Sequence, residues 1–211
     1  AHIDHYGLAG KVMEETGAQL VMHAMTDLDC EKYRHPDTAR ARRRDTYEDH
    51  GVSEAERMDL ADHLTRWLPY LHSVVEASTR LRGGERLEIG GDTWDVVHTP
   101  GHSLGHVCLH SPSRGALLSG DHLLPGITPH IGLYEDPDDA TVTDPLGDYL
   151  DSLERIGRLA PAEVLPAHQH VFTDADARVR ELLAHHEERL TDLRALLAEP
   201  LTPWQLAERM E

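Results

Sequence analysis

The sequence is poor in cysteine, in basic residues and in long apolar runs. Only Cys30 and Cys108 occur in 211 residues. Two thiols do not make a disulfide framework, and Cys108, inside an apolar strand pattern, reads as a small buried residue. No apolar run approaches the roughly 20 residues needed to span a bilayer. The start, Ala1 to Tyr6, lacks the basic region and the apolar stretch of a signal peptide. These absences set the expectation of a cytoplasmic protein with no membrane partner. Lys and Arg number 20 against 38 Asp and Glu, a net charge of −18 with His neutral. A phosphate backbone prefers a basic surface, so this balance argues against general nucleic-acid binding. The one basic cluster, Arg40, Arg42, Arg43 and Arg44, reads as a solvated helix face. Internal repeats and low-complexity tracts are lacking too.

What the chain has in excess is histidine, 17 in all, and metal binding is the first explanation to test. The length suits one sizeable core and a small appendage. Tyr6 to Glu15 predicts a helix closed by Gly17, with Leu8, Val12 and Met13 inward. Ala18 to Ala24 predicts a strand, and a helix followed at once by an apolar strand is an α/β signature. Asp27 to Gly51 reads as a charged, irregular insertion. Ser53 to Leu81 reads as mostly helical, with Met58, Leu64, Trp67 and Leu71 among its apolar positions. Arg86 to Val97 predicts a hairpin turning at Gly90-Gly91. Strands follow at His106 to His110, Ala116 to Ser119 and Val164-Leu165. Leu123 to Pro145 reads as a long loop, and Leu146 to Leu159 as an amphipathic helix. A last long helix is expected over Asp174 to Ala198, then a new start at Thr202-Pro203-Trp204-Gln205 with a capping box. Trp67, Trp94 and Trp204 read as core anchors. His63, His72, His110, His130, His185 and His186 read as surface residues.

Four clusters stand at the ends of strands or turns. They are His2-Ile3-Asp4-His5, His102 within Thr99-Pro100-Gly101-His102-Ser103-Leu104-Gly105-His106, Asp121 within Ser119-Gly120-Asp121, and His168 within Pro166-Ala167-His168. Imidazole and carboxylate are suitable ligands for zinc and similar divalent ions, and a catalytic zinc needs about three of them with one position open. Four histidines and two aspartates come close to what two metals require. Glycines 101, 105 and 120 would let tight turns present them. His106 and His122 flank the ligands and read as packing or as supports behind them; His170 reads as a pocket or strand-end residue, and Tyr6 as core.

On these residues the sequence resembles the metallo-β-lactamase superfamily, in the branch of glyoxalase II-like thioester hydrolases. The family's HxHxDH motif is matched in its last four positions by His2, Asp4 and His5, and its first histidine would fall just before Ala1. Thr99 to His106 matches the second motif, Asp121 the bridging aspartate and His168 the late histidine, although Ala167 stands where the family more often has glycine. The tail around His185-His186 and Thr202 resembles the helical C-terminal region of a branch that includes thioester hydrolases and an endoribonuclease.

The resemblance implies an α/β (α+β) fold of the αββα sandwich type, with the family's earlier strands absent and the sequence read as a fragment of a longer protein. The expected division is 1–172 for the metallo-β-lactamase-like domain and 173–211 for a helical region. One site would hold the family's first histidine, His2 and His102, the other Asp4, His5 and His168, with Asp121 bridging. Two zinc ions are implied, with iron or manganese as alternatives. The implied chemistry is attack of a metal-bridging hydroxide on a thioester or similar small acyl substrate, with Asp4 and Asp121 as catalytic residues. The alternatives are an RNA nuclease of the same fold, a mononuclear iron persulfide dioxygenase using His2, His102 and Asp121, and an inactive truncated copy. The expected partner is a small molecule, with a homodimer left open.

Overall fold

The computed structural model describes residues 2–133 and 144–210. The expected loop Leu123 to Pro145 therefore lies partly outside the described residues. In chain order the elements are α1 (Ile3–Tyr6), α2 (Ala9–Thr16), β1 (Val21–His23), α3 (Thr26–Arg34), α4 (Pro36–Asp49) and α5 (Glu54–Trp67). A 3-10 turn at Leu68–Tyr70 leads to β2 (Thr79–Leu81), β3 (Arg86–Ile89), β4 (Asp92–His98), β5 (Val107–Ser111) and β6 (Ala116–Gly120). The chain ends with α6 (Pro145–Leu159), β7 (Glu163–Pro166), α7 (Ala175–Leu196) and α8 (Pro203–Arg209). They fall into two compact units that interleave along the sequence. One comprises 19–29 and 76–184, the other 2–18, 30–75 and the chain after 184. Among the described residues no helix is long and apolar enough to cross a membrane.

The first unit is built on a five-stranded sheet in the order β3-β4-β5-β6-β7. Four strands form an antiparallel meander, and β7 joins β6 in parallel. The first turn of the meander is legible in its residues. Gly90 and Gly91 have φ of 62° and 86°, the left-handed pair that a two-residue hairpin turn requires. A parallel pair cannot be closed by a hairpin, and α6 provides part of the crossover. Asp144 caps α6 by accepting the Gly147 N–H, and Pro145 occupies the first turn. Cys108, Leu117 and Val164 of the sheet meet Tyr149, Leu153 and Ile156 of α6 and Val179 and Leu182 of α7 in one buried cluster. In the same unit β1 pairs in parallel with β2. The strand β2 lies where a helical reading extends to Leu81. Three residues are too few to show alternation, and their partner is remote in sequence.

In the second unit the expected helix Tyr6 to Glu15 is two helices, α1 and α2, broken at Gly7-Leu8. Gly17 closes α2 at φ 70°, as expected. The inward face differs from the reading, since Leu8 and Val12 are exposed while Tyr6 and Gly10 are buried. The bare Cα of Gly10 lets the Ser73 segment lie against the helix. The Tyr6 hydroxyl donates to the Val75 carbonyl at 2.6 Å and accepts the Val75 N–H at 2.7 Å.

The stretch read as irregular, Asp27 to Gly51, is mostly helical. No residue of α4 is buried, so no apolar period announces it. Charge pairs are its visible ties instead: Arg57 to Glu48 at 2.5 Å, and Arg40 to Asp62. Of the three tryptophans, Trp94 is a core residue, Trp204 is half-buried and Trp67 is exposed. Leu64's side chain lies outside the described residues. The capping box of α8 is present, with Thr202 and Gln205 each accepting the other's backbone N–H.

His110, read as a surface residue, is buried at 8% exposure. It shares a strand face with Cys108, two residues earlier, and stands across from Asp95 and Leu117. Burial lowers its pKa from the usual histidine value, against a weaker upward pull from Asp95. A base lowered in the fold takes up its proton on unfolding, so its contribution is complete above the unfolded value of 6.5 and is lost as pH falls below it. His23, also lowered by burial, has the same sign. Stability should therefore decline from pH 7 toward pH 5, with a shallower slope in His110→Phe. Parallel slopes in urea titrations of the two proteins would contradict this.

Candidate metal centre

The parallel pairing of β6 with β7 brings the C-terminal ends of two strands to one edge. Gly120 pairs with Pro166, and the Ala167 N–H donates to the Gly120 carbonyl at 3.0 Å. The next residues, Asp121 and His168, leave the sheet side by side. His102 arrives from the loop between β4 and β5, whose neighbour is β6. That loop is pinned to α6, since Ser152 Oγ donates to the Pro100 carbonyl at 3.1 Å and Arg155 Nη1 to that of His98 at 2.6 Å.

The result is one carboxylate with an imidazole on each oxygen. His102 Nε2 lies 3.2 Å from Asp121 Oδ2, and His168 Nε2 lies 3.3 Å from Asp121 Oδ1. His102 and Asp121 are buried, at 7% exposure each, and His168 is open to solvent. The other ring nitrogen of His102, Nδ1, is 2.7 Å from the His130 carbonyl. A carbonyl only accepts, so Nδ1 carries the proton. Nε2 is then the ring nitrogen turned to the Asp121 carboxylate. An imidazole nitrogen beside a carboxylate is a suitable donor pair for a divalent cation, and an imidazole anchored by a carbonyl behind it is the usual form of a metal-ligating histidine. The residues fit a metal ion.

Asp121 is held from behind as well. Its backbone N–H donates to His106 Nε2 at 3.2 Å, and His106 Nδ1 is 2.7 Å from Thr99 Oγ1. An N–H only donates, so Nε2 is the bare nitrogen and Nδ1–H donates to Thr99. The turn allows this approach because Gly120, at φ 54°, has no Cβ; one placed there would come 2.6 Å from His106 Nε2. His106 thus acts as a support, a role that the sequence reading places behind packing; its signal is the fixed interval from His102 within one motif. Thr99→Val removes the acceptor while keeping the shape. It should cost roughly 1–3 kcal/mol, the penalty of an unmet buried donor, and lower metal affinity roughly 10-fold as an outer-shell change. Unchanged metal affinity would remove Thr99 from the account.

His122 is fully buried with its ring edge-on to Tyr149, whose hydroxyl donates to the His122 carbonyl at 3.2 Å. Burial pushes the imidazole down to about 3, which makes it a neutral packing group. Burial pushes the Cys108 thiol up to about 12, so it is no nucleophile. His170 is exposed.

The remaining sequence candidates lie in the other unit. His2 is the N-cap residue of α1, and Asp4 and His5 stand in its single turn rather than at a strand end. Asp4 Oδ2 and His5 Nε2 are 3.6 Å apart, both well exposed.

The model of the metallo-beta-lactamase superfamily matches residues 1–168, and the chain belongs to that superfamily. Among curated relatives, the probable metallo-hydrolase YqjP of Bacillus subtilis is 31% identical over 144 residues, which are 67% of this chain and 44% of the relative. Among solved structures, a metallo-beta-lactamase family protein of Thermus thermophilus superposes with a TM-score of 0.84 at 32% identity, covering 97% of this chain and 64% of the other. A beta-lactamase domain protein of Burkholderia ambifaria gives 0.76 at 32%, covering 99% and 59%. The mixed α/β architecture is that of these neighbours. The chain spans less than half the length of the curated relatives it matches.

Proposed function

We propose that this chain carries the dinuclear metal centre of a hydrolase that cleaves a thioester or another small acyl substrate. His102 would serve one ion and His168 the other, with Asp121 shared; the family resemblance implies His2 for the first ion and Asp4 and His5 for the second. The observation that carries this reading is the Asp121 carboxylate offering one oxygen to each of two imidazoles. Zinc fits the mixed nitrogen and oxygen donors. Bound there, zinc supplies a Lewis acid and lowers the pKa of water from 15.7 to about 7.

The chain's own residues do the rest. Asp121, fixed through its backbone by His106, holds the two half-sites at one separation. His102, tied through Nδ1 to the His130 carbonyl, would present Nε2 to the site. Asp4, exposed on the turn of α1, would move a proton between the reacting group and solvent. The net charge of −18 supports a small-molecule partner over RNA. The printed name of the Bacillus relative supports hydrolysis in general.

A side-by-side assay tests this. Zinc-loaded protein is given a panel of acyl-thioesters and, separately, labelled single-stranded RNA. Thioester cleavage that a chelator abolishes and zinc restores is expected, and His102→Ala should lower kcat/KM by more than about 100-fold, the scale of losing a central electrostatic group. Cleavage of RNA with no thioester turnover would overturn the substrate assignment.

A further inference from the structure

We infer that Arg178 is a positioning residue for this centre, acting through the segment Leu124–His130 on both His102 and His168. Arg178 stands in α7 between Val179 and Ala177, turned into the unit, with 9% exposure. A guanidinium is costly to bury unless its donors are used, and here they are. Nε donates to the Leu124 carbonyl at 2.8 Å, Nη2 to the Ile127 carbonyl at 2.8 Å, and Nη1 pairs with Glu181 at 2.8 Å. The segment it grips has neither helix nor strand, so its carbonyls depend on side chains for partners. A planar fork fixes two of them at a set spacing, which a lysine ammonium does not.

The gripped segment touches the support of each imidazole. At its far end the His130 carbonyl accepts from His102 Nδ1. At its middle the Gly126 N–H donates to Gln169 Oε1 at 2.9 Å. Gln169 follows His168 directly and holds φ at 73°, a conformation uncommon for a residue with a long side chain. One segment therefore bridges the two histidines that face Asp121, and Arg178 ties its carbonyls to α7.

The test compares Arg178→Met, Arg178→Lys and Gln169→Ala with the wild type, and with Leu182→Ala as a control of lowered stability on the same helix. Two quantities are read: zinc affinity by competition with a chromogenic chelator, and the tautomer of His102 in metal-free protein by imidazole nitrogen NMR. Arg178→Met should lose about 10–100-fold in zinc affinity and show mixed His102 tautomers. Arg178→Lys should recover part of both. Leu182→Ala should melt earlier yet keep the wild-type affinity and tautomer. Wild-type values in Arg178→Met, or equal losses in Leu182→Ala, would overturn the inference. If Arg178→Met does not fold, Arg178→Lys and Gln169→Ala decide it on the same two readings. The zinc reading rests on the proposed dinuclear centre and the tautomer reading does not, so a wild type that takes no zinc defeats that centre and leaves Arg178 to the NMR.

Discussion

Asp121→Ala is expected to empty both half-sites at once, while leaving the metal-free fold nearly as stable as before. The reason is the division of labour at this residue. Its carboxylate faces His102 with one oxygen and His168 with the other, so in the proposed centre each ion would lose a ligand. Its backbone N–H, which holds the turn to His106, survives the substitution. Metal affinity should fall by more than about 100-fold, beyond the 10–100-fold that follows loss of an outer support. Stability of the metal-free chain should change far less than metal affinity, since the backbone bond to His106 remains. His168→Ala should instead release one ion and keep the other. Retention of either ion at wild-type affinity by Asp121→Ala would show that the carboxylate does not bridge.

Gly101→Ala is expected to have the largest effect on the fold. Gly101 holds φ at 131° beside His102, and a Cβ there would stand 2.6 Å from the Tyr149 Cα and 2.9 Å from its nitrogen. Both are backbone atoms inside α6 and cannot turn aside. Overpacking costs about 1–3 kcal/mol, and a strained backbone adds about 1–3 kcal/mol. A loss of about 3 kcal/mol or more is expected from the two together. Gly115→Ala is the comparison, because its φ is 63° but the added Cβ meets Ala162 at only 3.4 Å. That variant carries the conformational cost alone, about 1–2 kcal/mol. Denaturant unfolding of the pair should separate them by about 2 kcal/mol, within the overpacking range. Equal losses would mean that α6 yields.

The two variants probe features of unequal legibility. The meander from β3 to β6 was readable because its turns need particular residues, Gly90 and Gly91 above all, and because the strands between them alternate. The helix α6 was readable from Leu146, Leu150, Leu153 and Ile156 on one side. The two helices from Thr26 to Asp49 were not, because a helix held by charge pairs and burying nothing in α4 has no apolar period to read. The strand β2 was not, because pairing across a long stretch of chain leaves no local trace. His110 was misjudged by type, though its place two residues from Cys108 put it on the core face.

The centre shows the same split. His102, Asp121 and His168 were singled out by residue type and motif, and the structure brings these three together. Their proximity comes from the parallel register of β6 and β7, which no local pattern encodes. The supports were harder to see. A carbonyl such as that of His130 is invisible in a sequence, and Arg178 stands in what reads as an ordinary amphipathic helix.

The central claim is that one carboxylate holds two metal ions on this chain. Elemental mass spectrometry of protein purified without added metal tests it most directly. About two zinc ions per chain are expected, the number set by a shared carboxylate with separate ligands on each side. A single iron, or no metal even after incubation with excess zinc, would contradict the account.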